Sequence, residues 1–263
     1  MIKSAYFPNR TFETKQELFE ALKFNKDKLI GLKKATIKNS DGILFNTIKS
    51  IEPTFKGIDL EDGFSYHVIN TTKYMDSHSD VHLNGIWNKS IVDQEGKIYF
   101  VEDHNISIKT VIAYPENLEM MLKNLTWKSL GKDFEGETQA LIFKINKDNI
   151  ESDDARKIIE KNRSIEHSIR MQYVKIDLAI DEGSEGYEEE KALFDNTIGV
   201  IANKAQAIEQ GYFWVVSEAK ISQEGSMVLR GSNDVTPILT QEQKQEKTKT
   251  ETKTEKKFNP FLL

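Results

Sequence analysis

Three short stretches of this 263-residue chain carry side chains whose types could together activate a hydroxyl group. Val101 to Ser107, VEDHNIS, holds His104 behind Glu102 and Asp103. Ile165 to Ile176, IEHSIRMQYVKI, places Ser168 ahead of a run rich in apolar residues. Trp214 to Pro237, WVVSEAKISQEGSMVLRGSNDVTP, contributes Glu218 and Glu224. A serine hydroxyl is a poor nucleophile at neutral pH. It needs a base within hydrogen-bond reach, and the base needs a partner that fixes its tautomer. Histidine, serine and carboxylate are the set required for serine hydrolysis.

Of the five histidines, His67, His78, His82, His104 and His167, His104 ends a β-prone run and opens onto a loop. That position suits a general base, although a histidine so placed is by itself more often an ordinary surface residue. Ser168 falls between a predicted helix, Glu151 to Asn162, and a predicted strand, Gln172 to Ile180. Such a junction would expose the hydroxyl while the strand holds it, and the next backbone N–H groups could line an oxyanion hole. His167 is adjacent to Ser168, but strand neighbours point to opposite faces, which makes it a poor base for that serine. Glu218 and Glu224 lie six residues apart, so on an unbroken strand they share a face and spacing does not separate them.

Metal chemistry is the competing reading. His78 and His82 stand four apart in DSHSDVH with Asp76 and Asp80. Zinc would need both histidines on one helical face. The pattern here is loop to strand, where residues four apart lie about 13 Å from each other, and His67 does not mend that geometry. Glu185 to Glu190 lacks the ligand spacing of a calcium loop and reads as a solvated acidic loop. No metal and no cofactor is expected.

A net charge of −6, with no basic stretch interleaved by aromatics, argues against nucleic acid as a partner. Cysteine is absent, which removes disulfides, thiolate metal sites and a cysteine nucleophile. The opening residues MIKSAYFPNRTFETKQ contain no apolar signal core, and no window approaches about 18 apolar residues, so neither a signal peptide nor a membrane span is expected.

The elements that must hold the candidate residues follow from periodicity. Thr11 to Lys38 reads as a helix leading into a strand, with Leu18, Phe19, Leu22, Leu29 and Leu32 near helical spacing. Short β-prone runs follow to about Phe143: Ile43 to Ile48, Lys97 to Val101 and Ala140 to Ile145. Turn formers such as Ser40-Asp41-Gly42 and Glu61-Asp62-Gly63 separate such runs. Ser152 is the expected N-cap of the helix near Glu151 to Asn162, with Ile158 and Ile159 facing a core. The strand Gln172 to Ile180 is read with Tyr173, Lys175 and Asp177 on one side and Val174, Ile176 and Leu178 on the other. A helix from about Glu188 to Gln210 ends at Gly211, and strands Tyr212 to Ile221 and Ser226 to Arg230 close the fold. Residues 1–240 form the expected domain, with a helix–strand extension over about 1–60. Residues 241–263 read as a disordered polar tail ending in the apolar Phe258-Asn259-Pro260-Phe261-Leu262-Leu263, either a docking tag or an ordinary frayed terminus.

The order of motifs resembles one family, the prohead (capsid maturation) serine proteases of tailed phages. The matching pieces are Asp80-Val81-His82-Leu83-Asn84-Gly85-Ile86-Trp87, then Asp103-His104, then Ser168-Ile169. They continue with Glu224-Gly225-Ser226-Met227-Val228 and the distinctive GSNDVTP run, Gly231 to Pro237. The likeness spans about Tyr74 to Pro237. It implies an α+β, herpesvirus-assemblin-like fold, a β-barrel decorated by helices, and endopeptidase activity on capsid and scaffold proteins inside a procapsid in the host cytoplasm. Carried over residue by residue, Ser168 would be the nucleophile, His104 the base and Glu224 the orienting carboxylate, with Glu218 as the alternative. The implied partners are the major capsid protein, the scaffold and the protease itself. Where such proteins often have Gly two residues after the serine, this chain has Arg170, whose guanidinium would support the oxyanion or whose bulk would spoil the turn. The second case leads to the alternative reading, a catalytically inactive assembly protein with a protease fold.

Overall fold

A computed structural model describes residues 1–39, 43–45, 60–161, 163 and 165–229. The GSNDVTP run, the turn Ser40 to Gly42 and the polar tail lie outside the described residues, as do Asn46 to Ile48.

The chain opens with a two-stranded ribbon, β1 (Ile2–Lys3) against β2 (Thr11–Phe12). Helix α1 (Lys15–Phe24) follows because Thr14 caps it, its hydroxyl accepting the Glu17 N–H at 3.2 Å, while Leu18, Phe19 and Leu22 turn one face inward. The single helix expected here is two helices. Asn25 leaves helical geometry at φ −100°, ψ 10°, donates from its side chain to the Ala21 carbonyl at 2.8 Å, and starts α2 (Lys26–Ala35).

Strands β3 (Lys38–Asn39), β4 (Ile43–Phe45), β6 (Asp80–His82), β7 (Tyr99–Glu102), β8 (Val111–Ala113), β11 (Ile165–Ile180) and β12 (Tyr212–Val228) form a seven-stranded mixed sheet. Its spine is the antiparallel pair β11 and β12, with β6 and β7 parallel to β12. Strands β5 (Phe64–Thr71), β9 (Leu118–Thr126) and β10 (Glu137–Asn146) form a separate antiparallel sheet with β10 in the middle. Its Ile69, Leu141 and Phe143 share one apolar core with Phe100, Ile169 and Met227 of the larger sheet. At that contact Gly225 is obligatory on steric grounds: a Cβ there would sit 2.5 Å from the Phe143 ring and 3.1 Å from Ile69. The chain is therefore α+β, and among the described residues its strands make separate sheets instead of the expected closed barrel.

Helices α3 (Asn88–Asp93), α4 (Asp153–Glu160), α5 (Glu188–Ile198) and α6 (Lys204–Gln210) are the remaining α-helices among the described residues. Ser152 caps α4 as expected, accepting from the Ala155 N–H at 3.0 Å, and Ile159 is buried beneath it with Ile158 partly so. The one helix expected over Glu188 to Gln210 is two, interrupted between Ile198 and Lys204, and Gly211 closes the second at φ +79°.

Three further corrections bear on the site. Strand β11 begins at Ile165, so Ser168 lies within a strand and not ahead of one. The two expected final strands are one, β12, whose interruption is confined to irregular pairing before Gly225, where Gln223 takes φ +71°. The side-chain alternation of β11 flips at an irregularity between Tyr173 and Lys175, which buries Tyr173 and exposes Val174.

Candidate active site

Three strands, β7, β11 and β12, supply the candidate residues. His104 follows the end of β7, at a corner where Asp103 and His104 both take left-handed backbone angles, φ 48° and 55°. Asp, His and Asn are the non-glycine residues that tolerate this region best, and the corner is spelled Asp103-His104-Asn105. The corner is anchored by main chain, the Asp103 N–H donating to the Met227 carbonyl at 3.0 Å. It is anchored by side chain as well: Ser226 Oγ accepts the His104 N–H at 2.8 Å and donates to the Val101 carbonyl at 3.1 Å.

The imidazole points at β12. His104 Nδ1 lies 2.7 Å from Glu224 Oε1. A carboxylate acceptor makes Nδ1 the donor of this pair and leaves Nε2 as the ring's second nitrogen. Glu224 is 0% exposed, while the His104 side chain retains 15%. The acidic neighbours of His104 in sequence do not serve it. Glu102 accepts from Ser152 Oγ instead, and the histidine takes its carboxylate from 120 residues downstream.

Ser168 stands directly opposite Ser226 in the β11–β12 register. Opposed residues of an antiparallel pair share a face with Cβ atoms about 5 Å apart, so Ser168 is one strand removed from the hydroxyl that holds His104. It is 1% exposed, within a strand paired by β12 on one side and by β4 up to His167 and β3 from Arg170 on the other. The exposed loop-edge serine expected from sequence is in fact a buried strand serine.

Arg170 reaches the same face. Its Nε lies 3.4 Å from Glu224 Oε1, and its Nη2 donates to the His104 carbonyl at 3.1 Å. The guanidinium thus ties carboxylate to base.

Glu218 is elsewhere. The irregular pairing between it and Glu224 breaks the shared-face argument, and its carboxylate binds Lys175 at 2.6 Å and Lys89 at 3.8 Å. Lys175, hydrogen-bonded to it, holds its carboxyl below the ordinary range. His167 points away from Ser168, its Nε2 3.0 Å from His67 Nδ1 within the core. Burial pushes His67 down to about 3 and His167 well below its usual value, which makes both weak bases.

The DSHSDVH segment has a structural explanation. Asp76 Oδ1 accepts the N–H groups of His78 and Asp80, making a local turn. Asp80 is buried against Lys33, Lys38 Nζ at 2.8 Å and Tyr173 Oη at 2.8 Å. His82 Nε2 meets Tyr173 Oη at 3.2 Å, and burial lowers it to about 4. No group of three or more metal-ligating side chains occurs among the described residues. A groove of about 520 Å³, lined by Phe64, Ile91, Glu116, Met120 and Lys144 among others, includes none of His104, Ser168 or Glu224.

His104, Ser168, Glu224 and Arg170 are the candidates expected from sequence, and Ser226 had no expected role. The signal available was its place two residues after Glu224, which puts both on one strand face. No protein family, curated protein or solved structure matches this chain.

Proposed function

We propose that this protein is a serine endopeptidase of the prohead maturation type, acting on capsid and scaffold proteins and on itself within an assembling procapsid. The assemblin-like fold and the host-cytoplasm setting belong to the same proposal. The observation that carries it is the pairing of His104 Nδ1 with the buried Glu224 at 2.7 Å, on the strand face that also bears Ser168. In this scheme His104 Nε2 takes the Ser168 proton as Oγ attacks the scissile carbonyl. The proton leaves with the amine, and water, activated by the same imidazole, releases the acyl group and restores the serine. The Glu224 carboxylate holds the ring and balances the imidazolium that forms.

The burial of Ser168 favours a second reading, an assembly protein with the protease fold that does not cleave. A substrate carbonyl reaches a serine that is 1% exposed only after the surrounding chain opens. One experiment separates the two. A fluorophosphonate probe is incubated with the purified chain and the adduct located by peptide mapping. The protease reading expects modification at Ser168 that disappears in Ser168→Ala and His104→Ala. An absence of adduct at Ser168, with the chain folded, supports the non-cleaving reading. Co-expression with capsid and scaffold proteins, read by intact mass, then tests the substrate class.

A further inference from the structure

We infer that Ser226 is a positioning residue for His104: its hydroxyl holds the left-handed corner that aims the imidazole at Glu224. The inference rests on the proposed function for its catalytic consequence, but its structural content is independent of it. Two adjacent non-glycine residues in the left-handed region are unfavourable for L-residues and persist only where surrounding contacts over-determine them. The contacts are few enough to name. The Asp103 N–H is held by the Met227 carbonyl, the His104 N–H by Ser226 Oγ, the His104 carbonyl by Arg170, and the ring by Glu224. Of these, Ser226 alone grips the His104 main-chain N–H, and it is itself immobilised by donating to Val101 O from a position that is completely buried.

The strand explains why this residue can do so. Glu224 and Ser226 flank Gly225, whose α-carbon faces Phe143 and Ile69 with no room for a Cβ. The two flanking side chains must therefore emerge on the opposite face, one toward the imidazole and the other toward the backbone of the same histidine. Glu-Gly-Ser thus acts as a two-point clamp: the carboxylate sets the ring, the hydroxyl sets the main chain.

The test compares wild type, Ser226→Ala and Ser226→Thr, the last keeping a hydroxyl. Two readouts are taken: hydrogen exchange of the His104 amide, and the rate and pH profile of fluorophosphonate labelling at Ser168. Alanine leaves the His104 N–H and the Val101 carbonyl without their partner. Amide exchange at His104 is expected to accelerate about tenfold or more. Labelling is expected to slow about 10²-fold with a shifted pH profile, as for a group displaced by an ångström, and threonine restores both. Should alanine impair folding, Ser226→Cys, with similar volume and a weak acceptor, is read in the same way. Unchanged His104 exchange in a folded alanine or cysteine variant overturns the inference, as does loss in a folded threonine variant equal to that in alanine. If wild type is not labelled at Ser168, the protease reading fails while the exchange measurement still decides the role of Ser226.

Discussion

His104 and Glu224 meet at 2.7 Å although 120 residues separate them, and the carboxylate is fully buried whereas the imidazole keeps an edge to solvent. A base oriented by a buried carboxylate is the arrangement the proposed proton transfer from Ser168 would use. Glu224→Gln is accordingly expected to slow fluorophosphonate labelling of Ser168 by roughly 10⁴, the loss that follows when an imidazole is held in the wrong tautomer. Glu218→Gln, whose carboxylate pairs with Lys175 and Lys89 among the described residues, should leave the rate near that of wild type. The reverse order would transfer the orienting role to Glu218.

Arg170 offers a second measurement. Because its guanidinium contacts Glu224 Oε1 and the His104 carbonyl, Arg170→Lys retains a charge but not the fork that spans both. Labelling at Ser168 is expected to fall by about 10-fold or more, in line with a loosened base. A rate equal to wild type would make the arginine a bystander.

Gly225→Ala should destabilise the fold by about 1–3 kcal/mol, the usual cost of overpacking a core. The added carbon meets the Phe143 ring at 2.5 Å, and that ring is backed by Phe100 at 5.8 Å between centroids. Urea unfolding measures this directly, and an unchanged midpoint would show that the two sheets part without cost.

Asp80→Asn probes the buried network that joins α2 and β3 to β6 and β11. Burial alone would raise the Asp80 carboxyl, but the Lys33 and Lys38 ammoniums hold it below its ordinary range. Burial lowers Lys33 to about 8 against the pull of Asp80. Removing the one carboxylate leaves two lysines in contact without it, which costs roughly 3–5 kcal/mol for a buried pair broken from one side. Thermal unfolding of the variant checks the loss.

Acid stability follows from three buried histidines. His67 is lowered to about 3, His82 to about 4 and His167 well below its usual value, burial being the first cause in each case. Their folded values lie below the unfolded value of about 6.5, so the unfolded chain binds the extra protons. The stability they contribute is complete above about pH 6.5 and is lost as pH falls toward about 4, at up to roughly 4 kcal/mol per pH unit for three groups. Urea midpoints taken at about pH 7, 6 and 5 should fall steeply, and His82→Gln should flatten the slope by about a third. A flat profile would mean these histidines are not buried as neutral groups.

Much of the local structure was legible in the chain itself. The Ser152 cap, the Gly211 stop and the glycine-terminated turn at Gly63 are decided by residues within a few positions of one another. The candidate residues were legible too, because the chemistry of a hydroxyl nucleophile restricts its helpers to very few types, and only five histidines exist to choose from. What local pattern could not decide was anything set by pairing. Ser168 became an interior-strand residue because β12, β4 and β3 pair with β11, and no periodicity within Ile165 to Ile176 reports those neighbours. Glu224 and Glu218 were equivalent on an ideal strand and were separated by irregular pairing around Gln223, a property of two strands in register. The sheets stayed separate instead of closing because closure depends on tilt and stagger summed over all strands. The sequence by itself determined which groups were available for the chemistry. Only the tertiary structure decided that His104 turns from its acidic neighbours to a carboxylate 120 residues away, since a corner two left-handed residues long points the ring across the sheet and not along its own strand.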